Sequence, residues 1–189
     1  MISETTDQMN TIKSRFPNQV FISFSEDPMP TTNLFEAADG FVFTPKINFI
    51  ESEFVREDYQ STYKAYLDEY LFNNYSVYNK PIFINLDIPS VKGVEYGCVI
   101  SDEECYDFDV INQLNNSTQI ISFDVDLLTQ VELYNAAFQA INDTEWINGI
   151  SSQEYNSQVA IMDSSSSVRG KPAIGVFWYW FPRMLGINN

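Results

Sequence analysis

The spacing of apolar positions changes several times along this chain, and each change marks an element. Between residues 5 and 16, Met9, Ile12 and Phe16 recur three or four apart, which predicts a helix ended by Pro17. Thr5 and Gln8 are placed to form a capping box at its start. QVFISFS (19–25) is apolar and β-rich between Asn18 and Pro28, the pattern of a buried strand. A loop or short helix follows, and DGFVFT (39–44), closed by Pro45, reads as a second strand. From Phe54 to Phe72 the period becomes helical, with Tyr59, Tyr63, Tyr66 and Tyr70 as a packing stripe. PIFINLD (81–87) is the third strand. Beyond a polar stretch at 92–118, IISFDV (120–125) is a short strand or extended piece. Leu128 to Ile141 is helical, with Val131, Tyr134, Phe138 and Ile141 on the buried face. WINGIS (146–151) is the fourth main strand, and RGKPAIGVFWYWF leads into a last apolar helix in which Trp178 and Trp180 are expected to pack.

Continuously apolar strands alternating with helices imply an α/β fold with a parallel sheet covered by helices. An open doubly wound sheet is one solution and part of a (β/α)8 barrel is the other. A whole barrel typically needs ~250 residues, and this chain has 189. Four strands make half a barrel, which leaves two sheet edges unpaired and an interior unfilled, so it needs a partner half. Residues 1–189 are therefore expected to be a single half-barrel unit belonging to a larger chain or assembly.

Composition narrows the chemistry. The formal net charge is −16, which repels nucleic-acid backbones and anionic lipid surfaces. No apolar run approaches the length of a membrane span. There is no histidine, which removes Ser-His-Asp triads, Cys-His dyads and the commonest zinc sites. No phosphate-cradling glycine loop occurs, and no cofactor is expected. The acidic run DEECYDFD (102–109) lacks the ligand spacing of an EF-hand, so no metal site is expected either. Cys98 and Cys105 enclose a short acidic loop that a disulfide could close or that could hold two free thiols. Asn-x-Ser/Thr sequons lie at Asn74, Asn115, Asn116 and Asn142, and with the cysteine pair they point to an extracellular or lumenal protein. MISETTDQ is not a signal peptide, so a signal would have to lie upstream.

The segments Gln130 with YNAAFQAIND (134–143), EWINGI (145–150) and VRGKPA (168–173) resemble the closing part of clan-A glycoside hydrolases, closest to the β-mannanase-like barrels. KPIFI, followed by Pro-Ser and Gly93, is similar to that family's seventh strand, and FPNQVFISFSEDP and ADGFVFTPK to its fifth and sixth. The resemblance runs in order along nearly the whole chain and implies the C-terminal half of the barrel. The partners it implies are a carbohydrate and the N-terminal half barrel, and a homo-oligomer is an alternative way to complete the fold.

Retaining members of such families use an acid/base and a nucleophile carboxylate about 5–5.5 Å apart. The family's acid/base would precede Met1. Its nucleophile is a Glu at the end of the seventh strand, where this sequence has Leu86, flanked by Asn85 and Asp87. Asp87 is the one catalytic candidate, as a displaced nucleophile; its plainer reading is a cap in an inactive site. Substrate-binding candidates at the same end of the sheet are Glu26, Asp27, Thr44, Asn85, Gln153 and Tyr155, with turn capping or solvated loop as their plain alternative. Ser151-Ser152-Gln153 replaces the aromatic platform expected after the eighth strand, and Phe43-Thr44 stands where a tyrosine is common. Two functions follow: a catalytically degenerate barrel that binds glycan or serves a structural role outside the cell, or an active endo-acting β-glycosidase of the β-mannanase type using Asp87.

Overall fold

The computed structural model describes residues 2–16, 18–26, 29–101, 104–108, 123–154 and 163–187. Asp27, Tyr155, Asn115 and Asn116 lie outside these residues. In chain order the elements are α1 (Ile2–Arg15), β1 (Phe21–Phe24), α2 (Thr32–Ala37), β2 (Gly40–Phe43), α3 (Tyr59–Ala65), β3 (Ile82–Leu86), β4 (Val99–Ser101), β5 (Glu104–Tyr106), α4 (Leu127–Asn142), β6 (Ile147–Ser152) and α5 (Ile174–Met184). The helix begun by α3 continues as a π-helical stretch over Tyr66–Phe72 and one further α turn at Asn73–Tyr75.

One sheet has the order β1-β2-β3-β6 with every pairing parallel. This is the sheet of half a (β/α)8 barrel. Alternation along each strand separates two faces. Ile22, Phe24, Phe41, Phe43, Ile82, Ile84 and Leu86 are buried towards the helices. Phe21, Ser23, Val42, Phe83, Asn85 and Ser151 lie on the other face, which no element among the described residues covers and which is half-buried or exposed. There the rings of Phe21 and Phe83 meet edge to face at 5.4 Å. Each lies across a glycine of the neighbouring strand: a Cβ at Gly40 would sit 2.1 Å from Phe21, and one at Gly149 would sit 2.6 Å from Phe83.

On the helix side, aromatic rings do most of the filling. Phe24, Phe35, Phe41, Phe43 and Tyr75 form one cluster, and Phe177 of α5 meets Phe138 of α4 at 4.9 Å. Burying such side chains contributes about 1.5–3 kcal/mol each by transfer from water. Asp126 starts α4 by accepting the backbone N–H groups of Leu128 and Thr129, at 3.1 and 3.0 Å, and Asp58 does the same for α3 through Ser61 at 2.7 Å.

Four expectations are corrected. Helix α1 begins at Ile2, ahead of the expected start at Thr5. Met9 is buried, whereas Ile12 and Phe16 are exposed. Trp178 is not packed among the described residues: it is 77% exposed, whereas Trp180 is half-buried and donates to Asn135 Oδ1 at 2.9 Å. The polar stretch after residue 92 contains an antiparallel hairpin, β4–β5. Cys98 and Cys105 are disulfide-bonded, with Cα atoms 5.6 Å apart at the root of that hairpin.

Candidate functional site at the C-terminal end of the sheet

Parallel barrels present their chemistry at the C-terminal ends of the strands. Three of the sequence candidates meet there on the open face. Asn85 Nδ2 donates to Gln153 Oε1 at 2.8 Å and to Thr44 Oγ1 at 3.2 Å, while Ser151 Oγ donates to Asn85 Oδ1 at 2.9 Å. The sheet builds this group directly. Asn85 pairs in register with Ser151, Thr44 follows β2 with its N–H on the carbonyl of Phe24 at 2.9 Å, and the N–H of Gln153 reaches the carbonyl of Leu86 at 2.7 Å. The four side chains are neutral amides and hydroxyls, able both to donate and to accept, and they are half-buried or exposed. Such groups suit the hydroxyls of an uncharged ligand. No carboxylate takes part in this set of hydrogen bonds among the described residues.

The acidic candidates are turned elsewhere. Glu26 lies one residue beyond Ser25 after β1 and accepts the hydroxyl of Tyr66, on the π-helical stretch. Burial and the Glu26 charge push the Tyr66 phenol up, so the hydroxyl stays protonated as the donor. Asp87 is buried at 9% exposure and accepts the hydroxyl of Ser166, in the loop that precedes α5. Leu86, placed by the family resemblance at the nucleophile position, faces the helices and is 1% exposed. Asn85 is therefore the side chain that β3 presents to the open face at its end.

Around Asp87 lies a buried polar cluster that the sequence reading missed. Lys171 is 2% exposed, and its Nζ donates to Ser165 O at 2.6 Å and to Ser90 Oγ at 2.9 Å. Burial lowers its pKa, opposed by the charges of Asp163 and Glu154. Burial and then the Asp87 charge raise the Glu154 carboxyl, although the N–H of Ser166 holds it back. Tyr134, fully buried, donates to Ser166 O at 3.2 Å. Lysine is rarely buried without a hydrogen-bonded role, but its sequence setting, RGKPA, carries no sign of burial. The sequons at Asn74 and Asn142 are both exposed. Lys46 pairs with Asp107 at 2.6 Å.

No family model matches the chain, and no curated protein matches it. Solved structures do. The chain is similar to the GH113 β-mannanase AaManA from Alicyclobacillus acidocaldarius in complex with ManMIm, at 17% identity and a TM-score of 0.63, over 98% of this chain and 51% of that one. It is similar at 15% identity to two further GH113 β-1,4-mannanase structures, with TM-scores of 0.61 and 0.60, over 94% of this chain and 50% of theirs. The chain spans about half the length of these barrels. At such identities the likeness establishes the glycoside-hydrolase-like barrel fold.

Proposed function

We propose that this chain is the glycan-binding half of a glycoside-hydrolase-like barrel, acting outside the cell, that holds a β-1,4-linked mannose chain without cleaving it. The observation that carries this reading is Asn85. It takes the open-face position at the end of β3 and joins Thr44, Ser151 and Gln153 in a neutral hydrogen-bonding surface. A retaining glycosidase needs a nucleophilic carboxylate at its cleft. Here the two acidic candidates within the described residues, Glu26 and Asp87, accept hydroxyls from the helix layer and from the loop before α5. The fold supports glycan as the ligand class; the amide surface supports binding over hydrolysis. The disulfide and the exposed sequons at Asn74 and Asn142 support an oxidising, glycosylating compartment.

The test is a titration of a β-1,4-manno-oligosaccharide into the full chain, followed by amide NMR and by reducing-end analysis of the sugar. Shifts concentrated at Asn85, Ser151 and Gln153, with no new reducing ends, are expected. Asn85→Ala should weaken binding about tenfold, the equivalent of ~1.4 kcal/mol. Accumulation of new reducing ends would overturn the reading, as would saturation that leaves these residues unshifted.

A further inference from the structure

One turn beside the candidate site is built against its backbone preference. Among the described residues two that are not glycine take a left-handed backbone, Asn79 with φ 48° and Glu154 with φ 61°. Asparagine adopts that region readily and glutamate seldom does, so the surroundings of Glu154 must hold it there. Glu154 is the residue after Gln153. Gln153 is still tied to the sheet, with its N–H on the carbonyl of Leu86 at 2.7 Å and its Oε1 accepting from Asn85 Nδ2 at 2.8 Å. One residue later the chain has left β6, and the half-buried Glu154 turns its carboxyl to the N–H of Ser166, in the loop before α5.

That loop is fixed from three sides. Ser166 gives its hydroxyl to Asp87, beyond β3, and its carbonyl accepts the hydroxyl of Tyr134, on α4. Lys171 holds the carbonyl of Ser165 at 2.6 Å. The turn at Glu154 is therefore fastened to a rigid anchor through one side chain. The titratable and charged groups around that side chain are Asp87 beyond β3, Tyr134 on α4, and Asp163 and Lys171 in the loop. Two carboxylates face it against one ammonium, and it is partly removed from water, so the closed turn suits a neutral carboxyl better than a charged one.

We propose that Glu154 is a proton-operated latch on the glycan surface: as a neutral acid it keeps the turn closed on Ser166 and Gln153 set against Asn85, and as a carboxylate it swings out to water and releases Gln153. Burial first, and then the Asp87 charge, raise the carboxyl above its ordinary 4.5, so the closed turn holds the proton more tightly than an open one does. By linkage, a ligand that needs the closed turn binds best in acid and loses affinity as pH rises through the Glu154 pKa. This regulation rests on the glycan-binding reading of the site, whereas the latch itself is read without sugar.

The full chain is titrated from acid to neutral pH, with carboxyl NMR following Glu154 and side-chain amide NMR of Asn85 following its bond to Gln153. The Asn85 amide should move between two limits with the midpoint of Glu154, above 4.5. Glu154→Gln, which keeps an acceptor for the Ser166 N–H without a charge, should hold the amide at its acid limit at every pH. Glu154→Ala, with the strained turn and no acceptor, should hold it at the other limit, and Asp87→Asn should lower the midpoint. Wild-type affinity for a β-1,4-manno-oligosaccharide should fall about fivefold or more from the acid limit to the neutral one and stay level in Glu154→Gln. The latch is refuted if the Asn85 amide does not follow Glu154, if Glu154→Gln titrates like the wild type, or if Glu154→Gln and Glu154→Ala coincide. Sugar bound equally at both limits refutes the regulation. An amide that titrates as expected in a chain that binds no sugar at any pH overturns the glycan reading and upholds the latch.

Discussion

Replacing Asp87 by Asn separates a structural carboxylate from a catalytic one. The change keeps size and shape and removes the charge. In the folded chain the Asp87 carboxylate accepts the hydroxyl of Ser166, and its charge adds to burial in raising the carboxyl of Glu154 and the phenol of Tyr134. A hydrogen bond to a charged group contributes about 1.5–3 kcal/mol and a neutral one about 0.5–1.5 kcal/mol, so exchanging one for the other costs about 1–1.5 kcal/mol. For a chain of this size that lowers Tm by roughly 2–5 °C. A second effect opposes it, because Glu154 loses the Asp87 charge and its carboxyl moves part of the way back towards the ordinary range, with burial and Asp163 still raising it.

Both effects are measurable in the chain as it stands. Denaturant unfolding gives the stability change, and carboxyl NMR titration follows Glu154. A structural Asp87 predicts a modest loss of stability, a downward shift of Glu154, and an unchanged affinity for β-1,4-manno-oligosaccharide. If the wild type, supplied with a closing barrel half, hydrolyses the glycan and Asp87→Asn abolishes it, the structural reading is wrong and Asp87 is the nucleophile. If stability and Glu154 both stay where they were, the hydrogen bond to Ser166 is not formed in solution and the argument fails at its first step.

Removing the α4 cap in Asp126→Ala should cost about 1 kcal/mol by urea unfolding. Burial pushes the Asp126 carboxyl up, but the N–H groups of Thr129 and Leu128 and the Thr129 hydroxyl outweigh it and hold the pKa below the ordinary 3.8. This contribution is complete above that value and fades as pH falls through the folded pKa, so wild type and variant should converge in acid. Reducing the Cys98–Cys105 bond, which closes a loop with a sequence separation of 7, should cost about 2.5 kcal/mol on the chain-entropy model, read as a lower denaturation midpoint with reductant present. Glu154 has its carboxyl raised above 4.5 in the folded state, so its contribution to stability is lost as pH rises from there through the folded pKa. Glu154→Gln should flatten that part of the pH–stability profile, and an unchanged slope would refute the assignment.

The parallel sheet was legible because each strand is short, apolar and closed by a turn residue: FISF before Pro28, GFVF before Pro45 and IFINL before Pro89 all fall where the pattern puts them. The meeting of Thr44, Asn85 and Gln153 was legible too, since residues at the same end of neighbouring parallel strands must converge. Packing that depends on a partner was not. Trp178 lies at core spacing within an apolar helix, and spacing alone cannot show that the side chain is left exposed. Lys171 was invisible for the opposite reason. Its burial is permitted by the carbonyl of Ser165 and the hydroxyl of Ser90, which a loop fold brings to it from outside its own element.

The placement of Asp87 turns on where β3 stops, and alternation alone gives the wrong answer. Asp87 is two residues beyond Asn85, so a strand continued straight would carry both side chains on the open face. The strand ends at Leu86 instead. Gln130, fully buried on α4, donates from Nε2 to the carbonyl of Ile88 at 2.9 Å, and Lys171 holds Ser90. Beyond the end of the strand the Asp87 carboxylate meets Ser166, in the loop before α5. Gln130 on α4 and Lys171 in the loop before α5 thus hold Ile88 and Ser90, just beyond Asp87. A glutamate at Leu86 would place its charge on the buried helix side, in the apolar pocket that Leu86 shares with Ile88 and Leu133. At the end of β3, the position from which a carboxylate would reach the open face is Asn85.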